Sequence, residues 1–348
     1  MIEIVGAMIV TFFASHFGVA MAMRYALAKS LIDIPNARSS HKMPTPRGGG
    51  VGVVLGFIAV GVIVAALYPQ DSLFYVGYIS ALIVAAVGWL DDRRSLSALT
   101  RLGTHTFAAV LVIFAADGLA QIHVGEFVLS LGMPGALCVV LWLVWSTNLF
   151  NFMDGSDGLA AQQGIFVLFT MGLMNLGSGN SELAMLMLGT AAALGAFVRW
   201  NWAPAKIFMG DVGSGFLGFL LVALAVLGEY RGAMGLAMGL LLNVLFVVDA
   251  TGTLLRRIFN RENIVVAHRK HLYQRMIQVG LTHGQVAAGA IAINVLFVLP
   301  VAVVAYLVPV LMPWILLGMY IGVSAAWYWG SQICVTRLAT NSQQESIA

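Results

Sequence analysis

The sequence predicts an all-α, polytopic integral membrane protein, and three observations carry that prediction. Of its 348 residues, 60% are hydrophobic and only 9% are charged, where a soluble domain carries roughly 25% charged residues. Apolar runs such as 51–67 and 232–255 approach or exceed the roughly 20 residues that cross a hydrocarbon core of about 30 Å. Strand-like alternation of the kind that builds a barrel is absent, and backbone groups in lipid must bond within their own segment, so these runs read as helices.

Taken in order, the apolar stretches predict about eleven spans, near residues 3–28, 51–68, 73–90, 103–119, 134–150, 159–176, 182–199, 213–228, 232–254, 286–308 and 314–334. The first resembles a signal peptide in its Ala26-Leu27-Ala28. It carries Glu3 and no Lys or Arg before Arg24, however, the reverse of a basic leader, and reads as an uncleaved helix with its N-terminus outside. Threading the spans from there places on the cytoplasmic side every one of the 18 Lys and Arg residues except Arg231. Residues 1–336 form one transmembrane domain, and 337–348 a short Ser/Gln-rich cytoplasmic tail expected to be disordered. Cys138 and Cys334 both lie in apolar runs and read as small hydrophobes rather than a disulfide.

Polar residues gather in the internal connections. The first contains Arg38, His41, Lys42 and Arg47-Gly48-Gly49-Gly50, cations beside glycines whose amides can approach an anion; a positive-inside anchor accounts for it as well. The third span ends in Asp91-Asp92-Arg93-Arg94. Adjacent carboxylates repel unless a cation or a reacting proton holds them, and pairing with Arg93, Arg94 or Arg101 is the plainer alternative. The fifth runs into Asn148, Asn151, Asp154 and Asp157, hard oxygen donors suited to magnesium or to ribose and base groups. Lys206 and Gly210-Asp211 precede the eighth span, where Asp211 suits a site beside phosphate-binding amides or a helix cap. The longest connection carries His268-Arg269-Lys270-His271, whose basic neighbours disfavour zinc and favour pyrophosphate or a sugar hydroxyl, with a basic stretch binding anionic lipid as the plainer alternative. Asp249 and His16, at span depth, read as structural, with Arg256 in reach of Asp249. Acids for a divalent cation beside bases for phosphate, all at one membrane face, fit phosphoryl transfer on an amphiphilic substrate.

The order Pro-Arg-Gly-Gly-Gly, Asp91-Asp92, Asn-x-x-Asn-x-x-Asp-Gly-x-Asp-Gly-Leu, Phe-Met-Gly-Asp211 and His-x-x-His, spanning residues 33 to 275, resembles the polyprenyl-phosphate N-acetylhexosamine-1-phosphate transferase superfamily. Within it the chain looks like the WecA-type branch, especially WbpL-like enzymes that start O-antigen or related lipopolysaccharide chains. Its Thr-Pro-Arg-Gly-Gly differs from the Thr-Pro-Thr-Met-Gly-Gly usual in MraY, and the His run that MraY carries is absent.

The resemblance implies a bacterial inner-membrane enzyme with a cytoplasmic-face site. There undecaprenyl phosphate attacks a UDP-N-acetylhexosamine, or a deoxy form such as FucNAc or QuiNAc, and UMP leaves. It implies magnesium, replaceable by manganese, and no nucleic-acid partner, and leaves the oligomeric state open, a homodimer included. Carried over residue by residue, Asp91, Asp92, Asp154, Asp157 and Lys206 form the catalytic set, with Asp91 deprotonating or positioning the lipid phosphate. Asn151 and Asp211 hold the metal, and Arg38, His41, Arg47, Asn148, His268, Arg269 and His271 bind substrate. The rivals are an MraY-like phospho-MurNAc-pentapeptide transferase and a transporter, and the latter would place its ionisable groups near the midplane in repeated halves.

Overall fold

A computed structural model of the chain describes residues 1–35, 43–263, 266 and 268–347, with side chains to residue 340. The helices are α1 (Ile2–Ala28), α2 (Gly50–Leu67), α3 (Ser72–Arg93), α4 (Ala98–Ala115), α5 (Gly132–Met153), α6 (Leu159–Gly177), α7 (Ser181–Asn201), α8 (Asp211–Tyr230), α9 (Leu236–Leu242), α10 (Val244–Phe259), α11 (Leu272–Gln278), α12 (His283–Ile293), α13 (Leu299–Leu307) and α14 (Met312–Ile347). Among the described residues, ten spans are long and apolar enough to cross a membrane. They become eleven when α9 and α10, bent by 76°, count as one. That agrees with the reading from hydropathy, and the chain is a multi-pass, all-α membrane protein.

Helix α8 is the axis of the bundle. It is buried along nearly its whole length and packs against α2, α3, α5, α6 and α9. Close approach at its first turn depends on two glycines. A Cβ on Gly88 of α3 would lie 2.3 Å from the Asp211 carbonyl oxygen, and one on Gly50 of α2 would lie 2.4 Å from the Gly213 Cα. The start of α8 is thereby pressed between α2 and α3, and the polar residues at their ends meet there. By contrast α14 is largely exposed, a lipid-facing outer helix.

Four details depart from the hydropathy reading. The fourth span starts earlier because Ser97 caps it, its Oγ accepting from Thr100 N at 3.1 Å, and it stops earlier because Asp117 and then Gly118 turn left-handed, at φ 51° and 77°. The connection after it folds into an antiparallel hairpin, β3 (Gln121–Val124) with β4 (Phe127–Ser130), joined by a two-residue Gly125-Glu126 turn; the other strand pair is β1 (Ile32–Asp33) with β2 (Thr45–Pro46). The break between α9 and α10 frees the Leu242 carbonyl, which accepts from Gln163 Nε2 at 2.9 Å, while Asn294 donates to Gln163 Oε1 at 2.7 Å. Asn294 opens a π-helical turn, 294–298, just before Pro300, the wider turn accommodating the missing proline donor. Finally, the tail expected to be disordered continues as helix to Ile347, with no Gly or Pro after Gly330 to stop it.

Candidate active site

At the α8 N-terminus lies a cavity of about 640 Å³. Consecutive helical residues point about 100° apart, so Asp91 and Asp92 at the end of α3 divide their work. Asp92 turns to α8, where its two oxygens accept from the backbone N–H groups of Asp211 (3.0 Å) and Val212 (3.1 Å), satisfying donors that every helix start leaves orphaned. The cap of α8 is therefore Asp92, and the Asp211 side chain bonds Asn151 and Arg101 instead. Asp91 lies behind the cavity wall, accepting from Leu96 N and from Arg101, each at 2.6 Å. Arg101 also reaches Asp211 Oδ2 at 3.4 Å, and the Asp91 and Asp211 carboxyls are within hydrogen-bonding reach of each other. On the other side Asn151 donates to Asp211 Oδ1 at 2.7 Å and to Ser214 Oγ at 3.1 Å.

The connection between α1 and α2 docks onto this centre by backbone. Phe208 N donates to Pro46 O, and the amides of Gly49 and Gly50 donate to the carbonyls of Phe208 and Met209, each at 2.9 Å. Those two amides are spent on the chain itself, so these glycines serve close packing rather than an anion. Arg47 lines the cavity and holds the Asp92 carbonyl at 2.5 Å.

The acidic turn after α5 is fixed from three directions. Gly158, left-handed at φ 74°, donates its N–H to Asn201 Oδ1 at 2.9 Å. Asp157 accepts from Ala205 N at 3.0 Å, and the His283 ring reaches Ser156 Oγ at 3.1 Å. Asp154 faces the recess so formed. Burial raises its carboxyl well above the ordinary range, and the charges of Asp211, Asp92 and Asp157 add to the rise.

The basic connection is held by Asp249, which caps α11 by accepting from Leu272 N (2.7 Å) and Tyr273 N (3.3 Å) and takes a third bond from Trp327 Nε1 (3.0 Å). Its structural role stands, but with α11 and α14 as partners rather than Arg256. Arg257 is buried and bonds Glu262 and the carbonyls of Asn263 and Val266, drawing the segment over the cavity. The rings of His268 and His271 lie 5.0 Å apart. Burial lowers both imidazoles, His268 to about 4, with neighbouring positive charge contributing, so they present neutral rings.

Of the residues singled out in the sequence, Asp92, Asn148, Asn151, Asp154, Asp157, Asp211, Arg47, His268 and His271 line one cavity, and Asp91 joins them through Arg101 and Asp211. Lys206 is exposed and outside the lining, because its backbone N–H bonds Trp200 O in the turn that carries it. Arg269 is also outside the lining, its carbonyl taken by Gln278. Arg38 and His41 fall outside the described residues. The cavity adds Arg101 as a site cation, which the sequence offered only as a salt-bridge partner, together with His105, Arg257 and His283. No local signal marks these: Arg101 acts on Asp211 across 110 positions of sequence.

A divalent cation fits the donor set at Asp211. Two carboxyls and an amide oxygen on a rotatable side chain are hard donors, and the site lacks the thiolates that would select softer metals. Among the described residues no group of three His, Cys, Asp or Glu forms a closed cage. Magnesium needs none, since it binds through one or two carboxylates plus phosphates and water.

A bundle of membrane-length helices with a cavity of acids, amides and arginines at one end defines a membrane-embedded class of protein with a built polar site. The family described as glycosyl transferase family 4 matches residues 74–229, the stretch from α3 to α8 that carries Asp91, Asn151 and Asp211. A probable undecaprenyl-phosphate N-acetylglucosaminyl 1-phosphate transferase of Bacillus subtilis is 31% identical over 289 residues, 81% of this chain and 80% of the relative. A decaprenyl-phosphate N-acetylglucosaminephosphotransferase of Mycolicibacterium smegmatis is 31% identical over 309 residues, 80% of this chain and 75% of the relative. A phospho-N-acetylmuramoyl-pentapeptide-transferase of Streptococcus pyogenes serotype M6 is 28% identical over 230 residues, 62% and 67%. The chain belongs to this family, the WecA/MraY superfamily of polyprenyl-phosphate N-acetylhexosamine-1-phosphate transferases.

Proposed function

We propose that the protein transfers an N-acetylhexosamine-1-phosphate, or a deoxy relative of it, from a UDP-sugar to undecaprenyl phosphate at the cytoplasmic face of a bacterial inner membrane. UMP is released, and the lipid-linked sugar starts an O-antigen or lipopolysaccharide-type chain. The observation that carries this reading is the meeting of Asp211, Asn151 and Arg101 in a cavity with polar and apolar walls, where a phosphate diester and an amphiphile can be brought together. The relatives named for N-acetylglucosamine cover more of this chain than the muramoyl-pentapeptide relative does, which supports a simple hexosamine donor.

In this reading Asp211 and Asn151 would hold magnesium, with manganese able to replace it, and Asp91 stands beside them; the bound ion would neutralise charge on the phosphates. Arg101 and Arg47 attract the phosphates of both substrates and orient them for in-line attack. Asp91 acts through Arg101, fixing the guanidinium that positions the lipid phosphate. The neutral His268 and His271 offer hydrogen bonds to sugar hydroxyls or phosphate oxygens without competing as charges.

The test is protein purified in detergent, supplied with undecaprenyl phosphate and a panel of UDP-N-acetylhexosamines alongside UDP-MurNAc-pentapeptide, and scored for UMP release. Release that depends on the lipid and on a hexosamine donor is expected. Release only with the muramoyl-pentapeptide donor would move the protein to the MraY branch, and no release with any donor would overturn the proposal.

A further inference from the structure

One buried polar side chain of the cavity wall has no part in the arrangement described so far. His105 lies on α4 one turn beyond Arg101, so both side chains share one face of that helix. The opposite face, with Phe107 and Phe114, is exposed to lipid. His105 is only 8% exposed, and its Nδ1 is buried with no hydrogen-bond partner among the described residues. A buried N–H without an acceptor is rarer and costlier than an unused lone pair, so the proton belongs on Nε2. The ring lines the cavity, which is where its remaining polar atom can find a partner.

The position of the ring says which partner. α4 starts at Ala98, and a rise of 1.5 Å per residue puts His105 about 10 Å along the helix from its start and about 6 Å beyond Arg101. The cavity wall is of mixed character: Arg101 lies one turn nearer the start of α4, and Val84 and Val87 of the neighbouring α3, with Ala250 and Leu254 of α10, line the same cavity with apolar surface. A ligand matching that mixture is charged at one end and hydrocarbon at the other.

Resting on the functional reading above, we propose that His105 binds the acceptor lipid, its Nε2–H donating to an oxygen of a phosphate monoester carried on an isoprenoid chain. The ring marks the head-to-tail junction of that substrate, and the nucleotide sugar occupies the polar side of the cavity, toward Asp157 and His283.

The experiment compares wild type, His105→Leu and His105→Gln. For each it measures direct binding of undecaprenyl phosphate without nucleotide sugar, apparent KM for lipid and for UDP-sugar, and thermal unfolding. In His105→Leu, lipid affinity is expected to weaken about tenfold, both as Kd and as KM, with the donor KM within twofold. His105→Gln retains an N–H donor and should recover most of that loss. Unchanged lipid binding with unchanged or raised thermal stability in His105→Leu would overturn the inference and leave His105 a packing residue. A raised donor KM with unchanged lipid binding would overturn it in favour of the donor's diphosphate. Because lipid binding is read without turnover, a wild type that binds lipid through His105 yet releases no UMP would leave this inference standing and remove the proposed function.

Discussion

Both ends of the helix bundle hold an arginine between carboxylates from different helices, and the two arrangements differ in what they leave over. At the end away from the cavity, Arg231 is 16% exposed and bonds Asp71 Oδ2 at 2.8 Å, Glu182, and Gln70 Oε1 at 3.2 Å. Nearby Glu229 is spent on the hairpin and on α9, accepting from His123 N at 2.5 Å, its ring at 2.8 Å, and Leu236 N at 3.1 Å. At the cavity end Arg101 is 38% exposed, holds Asp91 at 2.6 Å and touches Asp211 only at 3.4 Å. The same residue types make a closed clamp in one place and an open, acid-rich centre in the other. Ionic composition alone does not separate structure from chemistry; what separates them is how much of the donor and acceptor capacity is already used.

The largest effect should come from breaking the open centre at Asp211. Because Asp92 caps α8, Asp211→Asn keeps the helix start intact and removes one anionic oxygen donor facing the cavity. Turnover is expected to fall by about a thousandfold or more, a loss of about 4 kcal/mol of transition-state stabilisation, while the unfolding temperature changes by no more than about two degrees. Wild-type turnover should be abolished by EDTA and restored by magnesium or manganese. Near-normal, metal-independent turnover in the variant would place Asp211 with the closed clamps.

Breaking the closed clamp should do the opposite. Arg231→Ala leaves Asp71 and Glu182 facing each other across α3 and α7 without their shared cation, a loss of about 1–3 kcal/mol. The expected result is a melting temperature lower by several degrees in detergent, with kcat and both KM values within twofold of wild type. A drop in kcat with unchanged stability would mean that the far end is coupled to the site.

Much of this organisation was legible in the sequence, for a physical reason: in lipid, hydrophobic length and helix are nearly the same statement, so all eleven spans could be read from apolar runs. The break at Asn243 could not, because a lone Asn does not interrupt the apolar run of 232–254 by hydropathy and the bend is stabilised by Gln163 and Asn294, far away in sequence. The Gly125-Glu126 hairpin turn is hidden from a membrane reading, which weighs apolar length before turn chemistry. Within the site, residue types at motif positions located most of the cavity. Side-chain direction was the missing quantity: it sent Asp92 to the α8 amides, left Lys206 exposed, and put Arg101 in the centre. The glycines after Arg47 were visible, but their use in helix approach depends on what lies opposite them.

The smallest effect sharpens the comparison within the basic connection itself, at His268. Its imidazole is pushed down to about 4 by burial, then by His271, Arg257 and Lys270, whereas an unfolded chain holds histidine near 6.5. Between those values the unfolded chain binds a proton that the folded chain does not. Stability therefore rises with pH across that window and is progressively lost as pH falls from about 6.5 toward 4. His271 is shifted in the same direction, and Asp154, shifted upward, contributes with the opposite sign, so the slope of wild type alone is a mixture. The difference between wild type and His268→Gln isolates one ring: the variant should show a shallower decline in melting temperature between pH 6.5 and 4.5, and the two curves should run parallel above pH 7. Turnover should fall only a few-fold, and the acid limb of kcat/KM between pH 5.5 and 8 should keep its position, because a ring already neutral has no charge to lose there. An acid limb that vanishes in His268→Gln would show that the imidazole works as a cation, and would make the basic connection an electrostatic clamp on phosphate instead of a neutral hydrogen-bonding wall.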